Sequence, residues 1–280
     1  MSGDRRAVCV TPDFDAAPTA DLHVHTTASD GTLTVPELPD AARDADVDVV
    51  AVTDHDRIHP DLDAPVTTRD GVVVIRGIEL RVDAGDQRVD LLGYGLRRTE
   101  TVEALTARIQ RDRKRRGAAI VDCVETRLDV ELDVEICEGI GRPHIARAID
   151  ESDAPHDYGD AFDRLIGSDG PCYVARDVPS FAAGADALDR SCAVVALAHP
   201  FRYPDPGGAL DRARELDAVE RYYPYSGSAA ARADPRRIDR VAEDAELLRT
   251  GGSDAHDRTL GVAGPPPSAF AAFAARLPPV

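Results

Sequence analysis

His23 and His25 stand two residues apart in a short apolar run. On a β-strand, side chains two apart project from the same face, so both imidazoles can grip one metal ion. Asp30 follows in the turn Ser29-Asp30-Gly31, which can swing a carboxylate back toward the strand end. The same arrangement recurs along the chain. Val47–Thr53 runs into Asp54 and His55, Glu79 ends Val72–Ile78, and His199 ends Ala193–Ala198. Asp254 and His256 follow Glu246–Thr250 through Gly251-Gly252. Five predicted strands thus deliver a His, Asp or Glu at or near their C-terminal ends, and strand beginnings show no such pattern. In a barrel of parallel strands, that is the face on which active sites form.

The elements that must position these residues alternate short β-rich runs with helical stretches, the signature of parallel βα units in an α/β fold. Strands are predicted at Ala20–His25, Val47–Thr53, Val72–Ile78, Val89–Tyr94, Ala193–Ala198, Ala218–Tyr222 and Glu246–Thr250. Helices are predicted at Val35–Ala45, Thr101–Leu128, Pro143–Glu151, Asp157–Ile166, Phe181–Arg190, Gly208–Glu215 and Arg232–Asp244. Thr34 followed by Pro36 fits a helix N-terminus. Residues 1–19 read as an N-terminal extension and 20–264 as one catalytic domain with a small helical insertion around 100–170. Residues 265–280 read as an Ala/Pro-rich tail with a short docking helix at Ala269–Leu277.

Composition excludes several classes. With 280 residues and 43% hydrophobic content the chain can bury a sizeable core, and with 5% aromatics and no Trp that core is aliphatic. No run approaches the ~18 apolar residues that a membrane span needs. The N-terminus lacks the apolar run of a signal peptide, so a cytoplasmic location is expected. Cys9, Cys123, Cys137, Cys172 and Cys192 are odd in number and scattered without a CxxC pair, and they read as isolated thiols. The net charge is −18, and Lys114 is the only lysine among 33 basic residues. That balance resembles proteins of salt-adapted organisms, in which molar salt shortens the Debye length to about 3 Å. It disfavours strong binding of long nucleic acids, which needs a basic footprint. The basic run Arg111–Arg116 reads as a solvated helix face, and His59 and His156, in loops beside prolines, read as surface residues.

Five motifs carry a family resemblance: AspLeuHisValHis (21–25) with SerAspGly (29–31), ThrAspHisAsp (53–56), GlyIleGlu (77–79), AlaHisProPheArg (198–202) and GlySerAspAlaHis (252–256). In this order, over residues 20 to 260, they resemble the PHP (polymerase and histidinol phosphatase) superfamily of metal-dependent phosphoesterases. ArgProHisIleAlaArg (142–147) is similar to a further element of that family. The resemblance implies a distorted seven-stranded (β/α)7 barrel with two to three divalent ions at the C-terminal strand ends. It places His23, His25, Glu79 and Asp254 on one ion, with Glu79 bridging to a second held by His144 and His199. Asp30, His55 and His256 would take the third. Imidazole and carboxylate ligands without thiolate suit Mn²⁺, Zn²⁺ or Fe²⁺. Asp90 lies in ValAspLeuLeuGly (89–93), where some relatives carry His, and is read as orienting a ligand.

Clustered divalent ions lower the pKa of a bound water and hold the attacking and leaving oxygens of a phosphate ester. The expected mechanism is in-line attack by a metal-bridging hydroxide, with no separate protein nucleophile and with His55 and His256 as candidate general acids. Arg202, three residues beyond His199, is the first candidate for gripping a non-reacting phosphate, and Arg142 and Arg147 are the next. The resemblance favours a small phosphorylated substrate, such as a nucleoside 3′,5′-bisphosphate or the 5′ end of a short RNA. Histidinol phosphate is the alternative substrate. A non-catalytic PHP module serving as a protein partner is the alternative of another class.

Overall fold

The computed structural model describes residues 19–279. Cys9 and almost all of the N-terminal extension lie outside them. The strands are β1 (Ala20–Val24), β2 (Val49–Val52), β3 (Val66–Arg69), β4 (Val72–Asp83), β5 (Arg88–Tyr94), β6 (Val194–Leu197), β7 (Ala218–Tyr222) and β8 (Leu248–Gly251). The helices are α1 (Leu38–Asp44), α2 (Glu100–Leu128), α3 (Arg142–Asp150), α4 (Tyr158–Ala161), α5 (Phe181–Asp189), α6 (Pro206–Ala213), α7 (Gly227–Arg232), α8 (Pro235–Asp244) and α9 (Pro267–Ala274).

Seven strands run in the order β1-β2-β4-β5-β6-β7-β8, and β3 pairs with β4 outside that path. The path curls until β1 meets the segment beyond β8. There the His25 N–H donates to the Ala255 carbonyl at 2.9 Å, and the Ala255 N–H donates to the His23 carbonyl at 3.2 Å. The result is the distorted barrel that the sequence implied, with one departure: β5 runs antiparallel to both β4 and β6. β4 and β5 are joined by a short hairpin and not by a crossover helix, because only four residues separate them. β3, whose Val66-Thr67-Thr68-Arg69 alternation is too short and polar to stand out, was not predicted.

Apolar residues from β1, β2, β4, β5, β6 and β7 form one buried cluster with Phe270 and Phe273 of α9. Residues α2 to 172 build a separate one, in which Ile120 and Val124 of α2 meet Ile145 and Ile149 of α3, with Leu165, Ile166 and Cys172. Cys172 is joined to Cys123 there by a disulfide, so the reading of these two as isolated thiols is corrected. Their separation of 49 residues carries no spacing signal; the packing of α3 and residues 161–172 back onto α2 brings them together. Cys137 is exposed and Cys192 buried, both as free thiols. His59, expected at the surface, is buried, its Nδ1 accepting the Asp61 N–H at 3.1 Å. Among the described residues no helix is long and apolar enough to cross a membrane.

Candidate metal centre

The strand ends converge on three overlapping groups of side chains whose ligand atoms lie within 4.8 Å of one another: His23, His25, Glu79 and Asp254; His25, Asp30, His55 and His256; Glu79, Asp90 and His199. Glu79 stands at the junction. Its carboxylate is 2.8 Å from His55 Nδ1, 2.9 Å from His199 Nε2 and 3.4 Å from His25 Nε2. Asp254 Oδ1 is 3.1 Å from His25 Nε2, and Asp30 Oδ1 is 3.4 Å from His256 Nε2.

Local chain chemistry explains each placement. His23 lies in β1 and His25 just past its end, as the two-residue spacing requires. Asp54, beside His55, turns away from the cluster. It accepts the Thr26 N–H at 2.8 Å and the Ser29 hydroxyl at 2.6 Å, and so folds the turn that returns Asp30. Glu79 is not a strand terminus but an inner residue of the twelve-residue β4. Gly252 lets the Asp254 segment lie against β1, since a Cβ there would sit 2.3 Å from the His23 nitrogen. His199, Asp254 and Asp56 all have positive φ (25°, 53° and 57°), an uncommon backbone for residues with side chains. Asp90 owes its place to the direction of β5: the early part of an antiparallel strand lies where parallel strands end.

Burial alone would push such carboxyls toward their neutral forms, yet Glu79, Asp254 and Asp30 are held in the opposite direction. Glu79 is held well below the usual carboxylate range against its desolvation, chiefly by His55 and His23. Asp254 is lowered likewise, chiefly by His23 and His25. Burial depresses His25, and the neighbouring His55 adds to that effect. His55 is raised to about 9, because Glu79 and Asp30 outweigh its burial. Among the described residues, several buried atoms make no well-aligned hydrogen bond even where a neighbouring ligand atom is close: His23 Nε2, His25 Nδ1, Asp30 Oδ1, Glu79 Oε2 and His199 Nδ1. Orphaned atoms of this kind cost free energy unless something coordinates them. Convergent imidazole and carboxylate donors with unpaired atoms fit divalent cations.

A second layer holds the cluster in place. Glu220, inside β7, meets His23 Nδ1 at 3.0 Å and accepts the His199 backbone N–H at 2.7 Å. Carboxylates that orient ligating imidazoles in this way fix tautomer and ring direction. The sequence signal was an acid in the strand AlaValGluArgTyr (218–222), set among apolar residues, and it was missed. Asp21 ties β1 to the last ligand loop by accepting the N–H groups of Ser253 and Gly261, both at 2.9 Å. Both carboxylate oxygens of Asp90 also accept from Arg81, which fixes the carboxylate beside His199 and Glu79.

Above the cluster opens a cavity of about 430 Å³ lined by eight arginines against four carboxylates. Arg202 reaches Asp254 at 2.6 Å and the Tyr223 hydroxyl at 3.1 Å. Arg142 and Arg147 also line it, Arg147 donating to the Asp30 carbonyl at 3.5 Å. His144 belongs to none of the three groups; its Nδ1 accepts the Gly141 N–H at 3.2 Å, at the start of α3. The basic run of α2 is only partly the solvated face expected of it. Arg111 and Arg115 are exposed, but Arg113 and Arg116 are buried and line the cavity, their i,i+3 spacing putting both on one helix face.

Residues 21–147 match the PHP domain. A phosphoribosyl 1,2-cyclic phosphate 1,2-diphosphodiesterase of Eggerthella lenta is 31% identical over 85% of this chain and 94% of its own length. A 3′,5′-nucleoside bisphosphate phosphatase of Chromobacterium violaceum is 28% identical over 70% and 72%. A 5′-3′ exoribonuclease of Haemophilus influenzae is 26% identical over 84% and 89%. The fold matches that of a candidate metal-dependent phosphoesterase of Bifidobacterium adolescentis, with a TM-score of 0.76, 24% identity and coverage of 94% and 98%. The chain belongs to the PHP family of metal-dependent phosphoesterases.

Proposed function

We propose that this protein hydrolyses a phosphate monoester on a small nucleotide, such as a nucleoside 3′,5′-bisphosphate or the 5′ end of a short RNA. One observation carries the reading: three overlapping groups of metal-ligand side chains lie beneath an arginine-lined cavity. His23, His25, Glu79 and Asp254 would hold one divalent ion. Glu79, Asp90 and His199 would hold a second, and His25, Asp30, His55 and His256 a third. Mn²⁺, Zn²⁺ and Fe²⁺ all suit these donors. Divalent ions there supply Lewis-acid activation of water and neutralise phosphate charge.

The chain's own groups do the remaining work. Arg202, braced by Asp254 and Tyr223, presents its guanidinium at the edge of the cluster, where it can bind an oxygen of the reacting phosphate. His55 and His256 are the most exposed histidines of the cluster, which suits either, when it is not holding an ion, to protonate the leaving oxygen. The relatives named above support a nucleotide substrate, since two of them are named for acting on nucleoside bisphosphates or RNA. The test is turnover by the metal-loaded protein of adenosine 3′,5′-bisphosphate, a 5′-phosphorylated short RNA and histidinol phosphate. Preference for the nucleotides is expected. Preference for histidinol phosphate would move the assignment to that substrate, and turnover of none with metals bound would favour a non-catalytic partner role.

A further inference from the structure

Residues 173–179 form neither strand nor helix, yet Tyr173 and Arg176 in this strap line the cavity above the metal groups. The strap runs back along α2, antiparallel to it, and is fastened there at three places. Cys172 is joined to Cys123, Arg116 Nε donates to the Val174 carbonyl at 2.6 Å, and Asp112 accepts the Asp177 N–H at 3.0 Å. The partners descend along α2 from 123 to 112 as the strap rises from 172 to 177. Arg176 also pairs with Asp56. At the far end the Pro179 carbonyl accepts the Asp83 N–H at 2.8 Å, which ties the strap to β4. Of these fastenings only the disulfide is covalent. Residues 173–178 are all exposed or half-buried. Hydrogen bonds in such wet surroundings each add little net stability, because water competes for both partners. The two sulfurs are unequally placed. Cys172 is 2% exposed within the apolar cluster of the insertion, whereas Cys123 is half-buried and open to a reagent.

We propose that the Cys123–Cys172 disulfide is a redox latch on this strap. Closed, it holds Tyr173 and Arg176 in the cavity wall; reduced, it lets the strap loosen and so weakens substrate binding. The reductant is a dithiol. Its thiolate attacks Cys123 Sγ, the more accessible sulfur, the S–S bond breaks, and Cys172 leaves as a thiolate that takes up a proton. The second thiol of the reductant then attacks the mixed disulfide and releases Cys123 as a thiol. Two electrons pass to the protein, and the dithiol ends as a disulfide. In the cytoplasm expected from the sequence, protein disulfides are mostly transient and redox-sensing. The three metal-ligand groups take no residue between Asp90 and His199, so the latch acts on substrate affinity and leaves the ions in place. The effect on turnover rests on the phosphoesterase reading of the metal centre; the loosening of the strap does not.

Two measurements on the full, metal-loaded chain test this, with the state of both cysteines read by mass spectrometry after thiol alkylation. The first compares KM and kcat for adenosine 3′,5′-bisphosphate in three samples: oxidised protein, protein reduced by excess dithiothreitol and freed of it without air, and the double variant Cys123→Ser, Cys172→Ser. Reduction is expected to raise KM at least about threefold, the worth of one lost contact, with kcat little changed. The double variant should match the reduced protein and ignore the reductant. Equal KM in the two redox states overturns the latch, as does a bond that dithiothreitol leaves intact in the folded protein. A response that persists in the double variant would belong to another thiol and overturn it too. The second measurement is hydrogen exchange. Residues 172–178 are expected to exchange faster on reduction and to slow again on reoxidation, while β1 to β8 do not change; unaltered exchange in the strap overturns the latch. If neither redox state turns over the ester, the phosphoesterase reading falls and exchange still decides the latch. Should the double variant not fold, the two redox states of the parent protein carry both comparisons.

Discussion

Glu220 holds two histidines of the centre at once, the ring of His23 and the backbone of His199. Glu220→Gln keeps the size and removes the charge, so metal affinity should fall by about 10–100-fold, as it does when such orienting partners are lost. Competition with a chromophoric chelator measures it, and unaltered affinity would show that Glu220 does not orient the ligands. His55 carries its proton up to about pH 9 in the metal-free protein. Metal must therefore displace that proton at lower pH, so affinity should drop by up to about tenfold for each pH unit below 9. Proton release on metal addition, followed with an indicator dye at pH 7, checks the sign. At this scale much was legible: histidines and carboxylates just after apolar runs are conspicuous. Asp90 and Glu220 were harder, because one sits at the start of a reversed strand and the other inside a buried one.

The reversal of β5 shows what an apolar pattern leaves out. Val89–Tyr94 was located as a strand, but periodicity gives no direction, and the rule that active sites gather at C-terminal strand ends passed over Asp90. Arg113 and Arg116 were hidden in the same way, since a basic run on a long helix reads as solvated until the surrounding insertion is placed. The insertion's disulfide was likewise invisible. Replacing Cys123 by Ser removes a cross-link closing 49 residues, which should destabilise the insertion by about 2–4 kcal/mol. Hydrogen exchange should then quicken in α2, α3 and residues 158–176 more than in the barrel strands. Uniform quickening across β1 to β8 would mean that the insertion and barrel unfold as one unit. Gly252→Ala would press a methyl on the His23 backbone, so a loss of about 1–3 kcal/mol is expected in thermal unfolding.

Across the whole molecule, the charge of −18 and the arginine-lined cavity oppose each other. The acidic surface repels itself and any incoming phosphate ester, and both effects shrink as salt shortens the Debye length from ~10 Å at 0.1 M to ~3 Å at 1 M. The melting temperature should therefore rise between 0.1 and 2 M KCl; a fall would mean that attractive ion pairs outweigh the repulsion. Arginines inside the cavity keep the local field positive at distances too short for salt to screen fully. The central claim is that dispersed residues of this chain gather divalent cations without which phosphate esters are not cleaved. The most direct measurement is metal content and phosphomonoester turnover before and after exhaustive chelation, followed by readdition of Mn²⁺, Zn²⁺ or Fe²⁺. Two to three ions per chain, loss of turnover on their removal and recovery on their return are expected. Full turnover by protein shown to be metal-free would contradict it.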